Sequence, residues 1–196
     1  MIMLNDSYLI GTGTNRACYQ HPNDNNKCIK VTISGNFSES NKEKKYYIFL
    51  KNKAISFDFI AKYYGTIETN MGEGLIFELI KDSNKNISKP LSIYFFEKNF
   101  SDEVEALVEK LIKLKKYLIK EKIIVKDLSF ANILYQKSKN RLVIIDGVIN
   151  NEFIPISTYI DYFTIRKINR RWELFINKLS RKYPEIFILY DATMLK

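Results

Sequence analysis

The sequence predicts an α+β fold in two lobes: a five-stranded antiparallel sheet with one inserted helix, followed by a mostly helical, shortened second lobe. Three observations carry that reading. Between Tyr8 and Ile80, short apolar runs alternate with turn residues and are broken once by helical spacing. A polar connector, Lys81 to Asn86, has neither pattern. Beyond it, apolar residues recur at three- and four-residue intervals over long stretches.

The chain has 196 residues, 46% of them hydrophobic, enough for a sizeable core in one domain. The expected division is a first lobe over about 1–80, a hinge over about 81–90 and a second lobe over about 91–196. Cys18 and Cys28 lack the spacing of a zinc site or a disulfide framework, which suits a reducing compartment. No stretch approaches the roughly 18 apolar residues of a membrane span. The opening Met1–Asp6 lacks the basic region of a signal peptide, so a cytoplasmic protein is expected. The net charge is +9, from 31 basic and 22 acidic residues. The lysines are dispersed and no nucleic-acid module is legible, so the charge reads as solvated surface that favours an anionic nucleotide over nucleic acid.

Tyr8 to Tyr19 reads as strand, small-residue turn and strand. Gly11 and Gly13 would let backbone amides approach phosphate oxygens, and Arg16, where a third glycine would stand, could reach a phosphate itself. A plain hairpin turn accounts for the same pattern. His21, the only histidine, lies beside Pro22 in a polar turn and reads as a surface residue; with one histidine a Ser-His-Asp hydrolase is not expected. Lys27 to Val31 is a third strand. Lys30 within it either alternates out to solvent or has an anionic partner, because an unpaired buried ammonium is costly.

Ser40 to Leu50 has helical spacing, with Glu43, Tyr46, Tyr47 and Leu50 on one face. Glu43 is placed to pair with Lys30, and Glu39 is the alternative. Ser40 and Glu43 also fit a capping box, in which Glu43 only closes the helix start. Ile60–Thr69 and Gly74–Ile80 complete the sheet, and the backbone of Glu78 and Ile80 would face an adenine. In the second lobe a helix opens at Ser101 and carries Val104, Leu107, Val108, Leu111, Leu114 and Leu118. A last helix, about Thr158 to Lys182, carries Ile160, Phe163, Ile168, Trp172, Phe175 and Leu179 on its apolar face.

Between these helices lies the stretch that carries chemistry, Ile123 to Leu134, followed by Leu142–Gly147. Phosphotransfer enzymes without a Walker loop use an Asp to orient the attacking hydroxyl, then an Asn five residues on and a later Asp to hold magnesium. Asp127, Asn132 and Asp146 repeat those types in that order and at about that spacing. Hard oxygen donors completed by ATP phosphates suit Mg2+. Each residue taken singly is also ordinary turn chemistry. Val125 and Lys126 stand where a protein-kinase loop has His and Arg, and Asp-Gly replaces Asp-Phe-Gly. The stretch after Gly147 is too short for a usual activation segment, and no Ala-Pro-Glu follows. With Gly11, Gly13, Lys30 and Glu43, the set resembles a minimal protein-kinase-like fold.

The strings Gly11-Thr12-Gly13, Arg16-Ala17-Cys18-Tyr19-Gln20-His21-Pro22, Cys28-Ile29-Lys30, Gly65–Thr69, Gly72–Gly74 and Asn132-Ile133-Leu134 resemble the YrbL family, the bacterial PhoP regulatory network proteins. The resemblance runs from about Leu4 to about Lys178. It implies a small cytoplasmic bacterial protein with a reduced protein-kinase-like fold, and it supplies no reaction.

Two functions follow as expectations. One is an ATP- and magnesium-dependent phosphotransferase acting on an unknown protein or small-molecule hydroxyl: Gly11, Gly13, Arg16, Lys30, Glu43, Glu78 and Ile80 bind nucleotide, Asn132 and Asp146 hold metal, and Asp127 positions the acceptor. The other is a pseudokinase-like regulatory protein that works through a partner. The same residues with ATP reversed would transfer the nucleotide.

Overall fold

The computed structural model describes residues 1–96, 102–150, 160–182 and 184. The chain divides into two compact units, 1–87 and 88–196.

The first unit is a five-stranded sheet of β1 (Leu9–Thr12), β2 (Arg16–His21), β3 (Asp24–Thr32), β4 (Tyr63–Thr69) and β5 (Gly72–Glu78), in the order β1-β2-β3-β5-β4. Every pairing is antiparallel. Helix α1 (Ser38–Asn52) joins β3 to β4. The sheet and its inserted helix are those the hydrophobic spacing predicts.

Alternation assigns the two faces of the sheet. Ala17, Tyr19, Ile29 and Val31 point one way and form a core with Leu4. Gly74 lies opposite Val31, and a β-carbon there would sit 2.4 Å from the Ile29 side chain, so only glycine lets the three strands close over that core. The other face carries Arg16, Cys18 and Gln20 on β2, paired respectively with Thr32, Lys30 and Cys28 on β3. The Tyr47 ring of α1 packs edge-on against Phe77 of β5, at 5.2 Å, and lies 5.7 Å from Tyr63 of β4. The buried residues of α1 are Ser40, Glu43, Tyr46, Tyr47 and Leu50.

Two local readings are corrected. His21 is buried, not a surface residue, and its Nδ1 accepts from the Asn23 amide at 3.1 Å, bracing the turn between β2 and β3. Ser40 is inside α1, not at its cap: its hydroxyl bonds Thr32 Oγ1 at 2.8 Å, and the Ser38 amide is received by Asn36. The capping box is therefore not formed. The connector after β5 turns back on itself, with Asp82 N–H donating to Asn86 and Lys85 at φ +64°.

The second unit opens with β6 (Lys89–Pro90) and α2 (Leu91–Phe96), a pair too short to leave a periodic signal. Helix α3 (Asp102–Lys120) buries Leu107, Val108, Leu111, Leu114 and Leu118 as its spacing predicts; the Val104 side chain lies outside the described ones. Strands β7 (Ile133–Gln136) and β8 (Arg141–Ile144) complete a small antiparallel sheet in the order β6-β7-β8. Helix α4 (Asp161–Lys182) buries Ile168, Trp172, Phe175 and Leu179, but Ile160 and Phe163 are exposed. Thr164 occupies the buried position at that end, its hydroxyl donating to the Ile160 carbonyl at 3.1 Å. A small hydroxyl satisfied within the helix fits there in place of the larger apolar neighbour.

Candidate functional site

In the second unit, Asp127, Asn132 and Asp146 are brought together by main-chain bonds. The loop Lys126–Asn132 leaves the buried run Ile123–Val125 and returns into β7. Lys126 N–H donates to the Gly147 carbonyl at 2.7 Å, and Ile145 N–H donates to the Asn132 carbonyl at 2.9 Å. The loop and the end of β8 are thus tied at both ends. Asn132 Nδ2 donates to the Asp127 carbonyl at 3.3 Å, so the amide nitrogen is engaged within the loop and Oδ1 is the atom that could serve a metal. The Asp127 side chain is exposed. Asp146 Oδ1 accepts from the Gly147 amide at 2.9 Å.

Gly147 makes this geometry possible. It has φ +78°, and a β-carbon there would lie 3.1 Å from the Asp127 carbonyl oxygen. Here glycine serves both the left-handed backbone and the close approach.

Side chains hold the loop where a kinase-type His is missing. Val125 and Leu128 are buried, and the Phe130 ring lies 4.8 Å from Phe95 and 5.1 Å from Phe175. Phe130 therefore wedges the loop between α2 and α4. That residue was missed as a site component; an aromatic between the two polar residues was the available signal. On the same loop, Leu128 to Ala131 border a cavity of about 440 Å³ closed on another side by Phe175 and Leu179.

In the first unit, Lys30 and Glu43 share the face of the sheet covered by α1, and Glu43 takes Arg16 as its ion-pair partner. Arg16 and Glu43 form an ion pair, with Glu43 only 2% exposed. The reason is register: Arg16 sits at the open end of β2, opposite Thr32, whose hydroxyl already meets Ser40 one turn before Glu43. The second carboxylate oxygen of Glu43 is buried without a hydrogen-bond partner. Lys30 is buried and not turned to solvent, with its ammonium 4.8 Å from the centre of the Phe77 ring. Glu39, the alternative partner for Lys30, is half-buried and receives Asn15 Nδ2 at 3.3 Å.

Gly11 lies in β1, and the Gly13 amide closes the β1–β2 hairpin on the Arg16 carbonyl at 2.8 Å. Nothing would lie within 4 Å of a β-carbon at Gly11. Glu78 donates its amide to the Lys62 carbonyl at 2.9 Å, so its N–H is engaged within the unit; Ile80 is buried.

Hard oxygen donors at Asn132 and Asp146 fit magnesium better than a softer metal. Among the described residues no group of three His, Cys, Asp or Glu side chains gathers to form an all-protein metal cage. No helix among them is long and apolar enough to cross a membrane.

Comparison with known proteins places the chain in a family. The sequence profile of the PhoP regulatory network protein YrbL matches residues 2–180. YrbL of Escherichia coli (strain K12) is 31% identical over 182 residues, covering 90% of this chain and 87% of that protein. The Shigella flexneri YrbL gives the same figures. The chain belongs to the YrbL family.

Proposed function

We propose that the protein is a cytoplasmic ATP- and magnesium-dependent phosphotransferase of protein-kinase type, acting on a hydroxyl acceptor. The observation that supports it is the convergence of Asp127, Asn132 and Asp146 on one pair of tied turns, with the Asn132 amide nitrogen bonded to the Asp127 carbonyl. A purely structural loop gains nothing from exposing that carboxylate beside two hard oxygen donors.

On this reading Asp127 accepts the hydroxyl proton as the acceptor oxygen attacks the terminal phosphorus of ATP, the bond from that phosphorus to the bridging oxygen breaks, and ADP leaves. Asn132 Oδ1 and the Asp146 carboxylate would hold Mg2+, which offsets charge on the phosphates when bound. Gly11 and Gly13 would leave backbone room for phosphate oxygens, with Lys30 as their cation and Ile80 beside the adenine. Arg16 would reach a phosphate with the rest of its guanidinium while its ion pair with Glu43 holds α1 against β2.

The second reading, a pseudokinase-like protein that works through a partner, is favoured by one observation. Glu43 is held by Arg16, so the Lys-Glu pair characteristic of active kinases is replaced.

The test is incubation of wild type and Asp146→Ala with magnesium and ATP labelled on the γ- or the α-phosphate, with cell extract as acceptor. Transfer of γ label by wild type only supports the kinase. Transfer of α label indicates nucleotide transfer, and no transfer with retained ATP binding indicates the partner-binding role. Asp127→Ala is expected to bind ATP normally and lose at least about 10²-fold in turnover. Lys30→Met is expected to lose nucleotide binding.

A further inference from the structure

Two thiols lie on the face of the sheet that carries Lys30. Cys18 is directly opposite Lys30, and Cys28 is opposite Gln20, so the cysteines are diagonal neighbours on adjacent strands. Both are free. Their side chains are in hydrogen-bond contact. The Cys28 sulfur also reaches the Glu78 carbonyl at 4.0 Å. Cys28 is buried and Cys18 is half-buried, so a small reagent meets Cys18 first.

We propose that Cys18 and Cys28 form a modification site, a thiol pair that closes to an intramolecular disulfide when a hydroperoxide reaches Cys18. The Cys18 thiolate attacks one peroxide oxygen, the O–O bond breaks, and the leaving oxygen departs as water. Cys18 becomes a sulfenic acid. The Cys28 sulfur then displaces the sulfenic oxygen, which leaves as a second water, and the S–S bond forms. Two thiols lose two electrons and two protons, and one hydrogen peroxide becomes two waters.

The division of roles follows from placement. The attacking thiol must be reachable, whereas the second sulfur need only lie against the first. Contact with Cys18, reinforced by burial, pushes the Cys28 thiol well up, which keeps it from reacting alone. By register a diagonal pair lies beyond the separation an unstrained disulfide spans, so closure shifts β2 along β3, and the strained bond opens readily to reducing thiols. The site goes beyond phosphotransfer and does not depend on it.

Trypsin cuts after Arg16, Lys27 and Lys30, which separates the two cysteines. The full chain is treated with hydrogen peroxide, remaining thiols are blocked with iodoacetamide, and the digest is read by mass spectrometry. The expected product is Ala17–Lys27 joined to Cys28–Lys30, from a monomer, and released by reductant. In Cys28→Ser, Cys18 is expected to stop at a sulfenic acid that dimedone captures; in Cys18→Ser, Cys28 stays open to alkylation once the chain is unfolded. Bridges only between chains, or both cysteines still alkylated at a peroxide dose that oxidises glutathione, overturn the proposal.

Discussion

Gly147 backs directly onto Asp127: its missing β-carbon would lie 3.1 Å from the Asp127 carbonyl oxygen and 3.3 Å from its amide nitrogen. One glycine thus sets how closely the end of β8 approaches the loop that carries the proposed proton acceptor.

Gly147→Ala is expected to cost about 1–3 kcal/mol, because the methyl meets backbone and the residue must keep φ +78°. Urea unfolding measures the loss. If Asp127 is placed by this contact, γ-phosphoryl transfer falls further than stability does, read at a temperature where the variant is folded. An unchanged midpoint would mean the loop relaxes freely.

The Arg16–Glu43 pair makes a second prediction. Arg16→Met leaves a carboxylate with only 2% exposure and no cation at the ion-paired oxygen, which is expected to cost about 3–5 kcal/mol. Arg16→Met with Glu43→Gln is expected to recover much of that loss. A double-mutant cycle by denaturant unfolding checks it. Strong coupling of Glu43 to Lys30, with none to Arg16, would reverse the assignment.

A third prediction concerns alkaline pH. Contact with Cys18, then burial, raises the Cys28 thiol above its ordinary value near 9.0. The folded state therefore holds that proton more tightly than the unfolded chain does. Stability from this group is fully present below the unfolded value and declines as pH rises toward the folded one. Unfolding free energy of the reduced wild type is expected to fall more steeply above about pH 9 than that of Cys28→Ala. Parallel profiles would remove the effect.

Alternation and helical spacing are local signals, so the five-strand sheet, its inserted helix and the apolar faces of α1 and α3 are legible in the residues alone, as is the order of Asp127, Asn132 and Asp146. Partnership was another matter. Glu43 fitted Lys30, Glu39 competed for the same lysine, and Ser40 fitted a cap; choosing among them needs the register of β2 on β3, which placed Arg16 within reach of Glu43 and gave Ser40 to Thr32. His21 read as surface because its neighbours are polar, yet the turn folds its ring inward. β6 and α2 were too short to show a period. That two cysteines without a spacing motif meet across adjacent strands, and that Gly147 and Phe130 hold the Asp127 loop, emerges from the packed fold and from no local pattern. Periodicity reports which way a side chain points, whereas long-range pairing depends on strand register and on what packs over it.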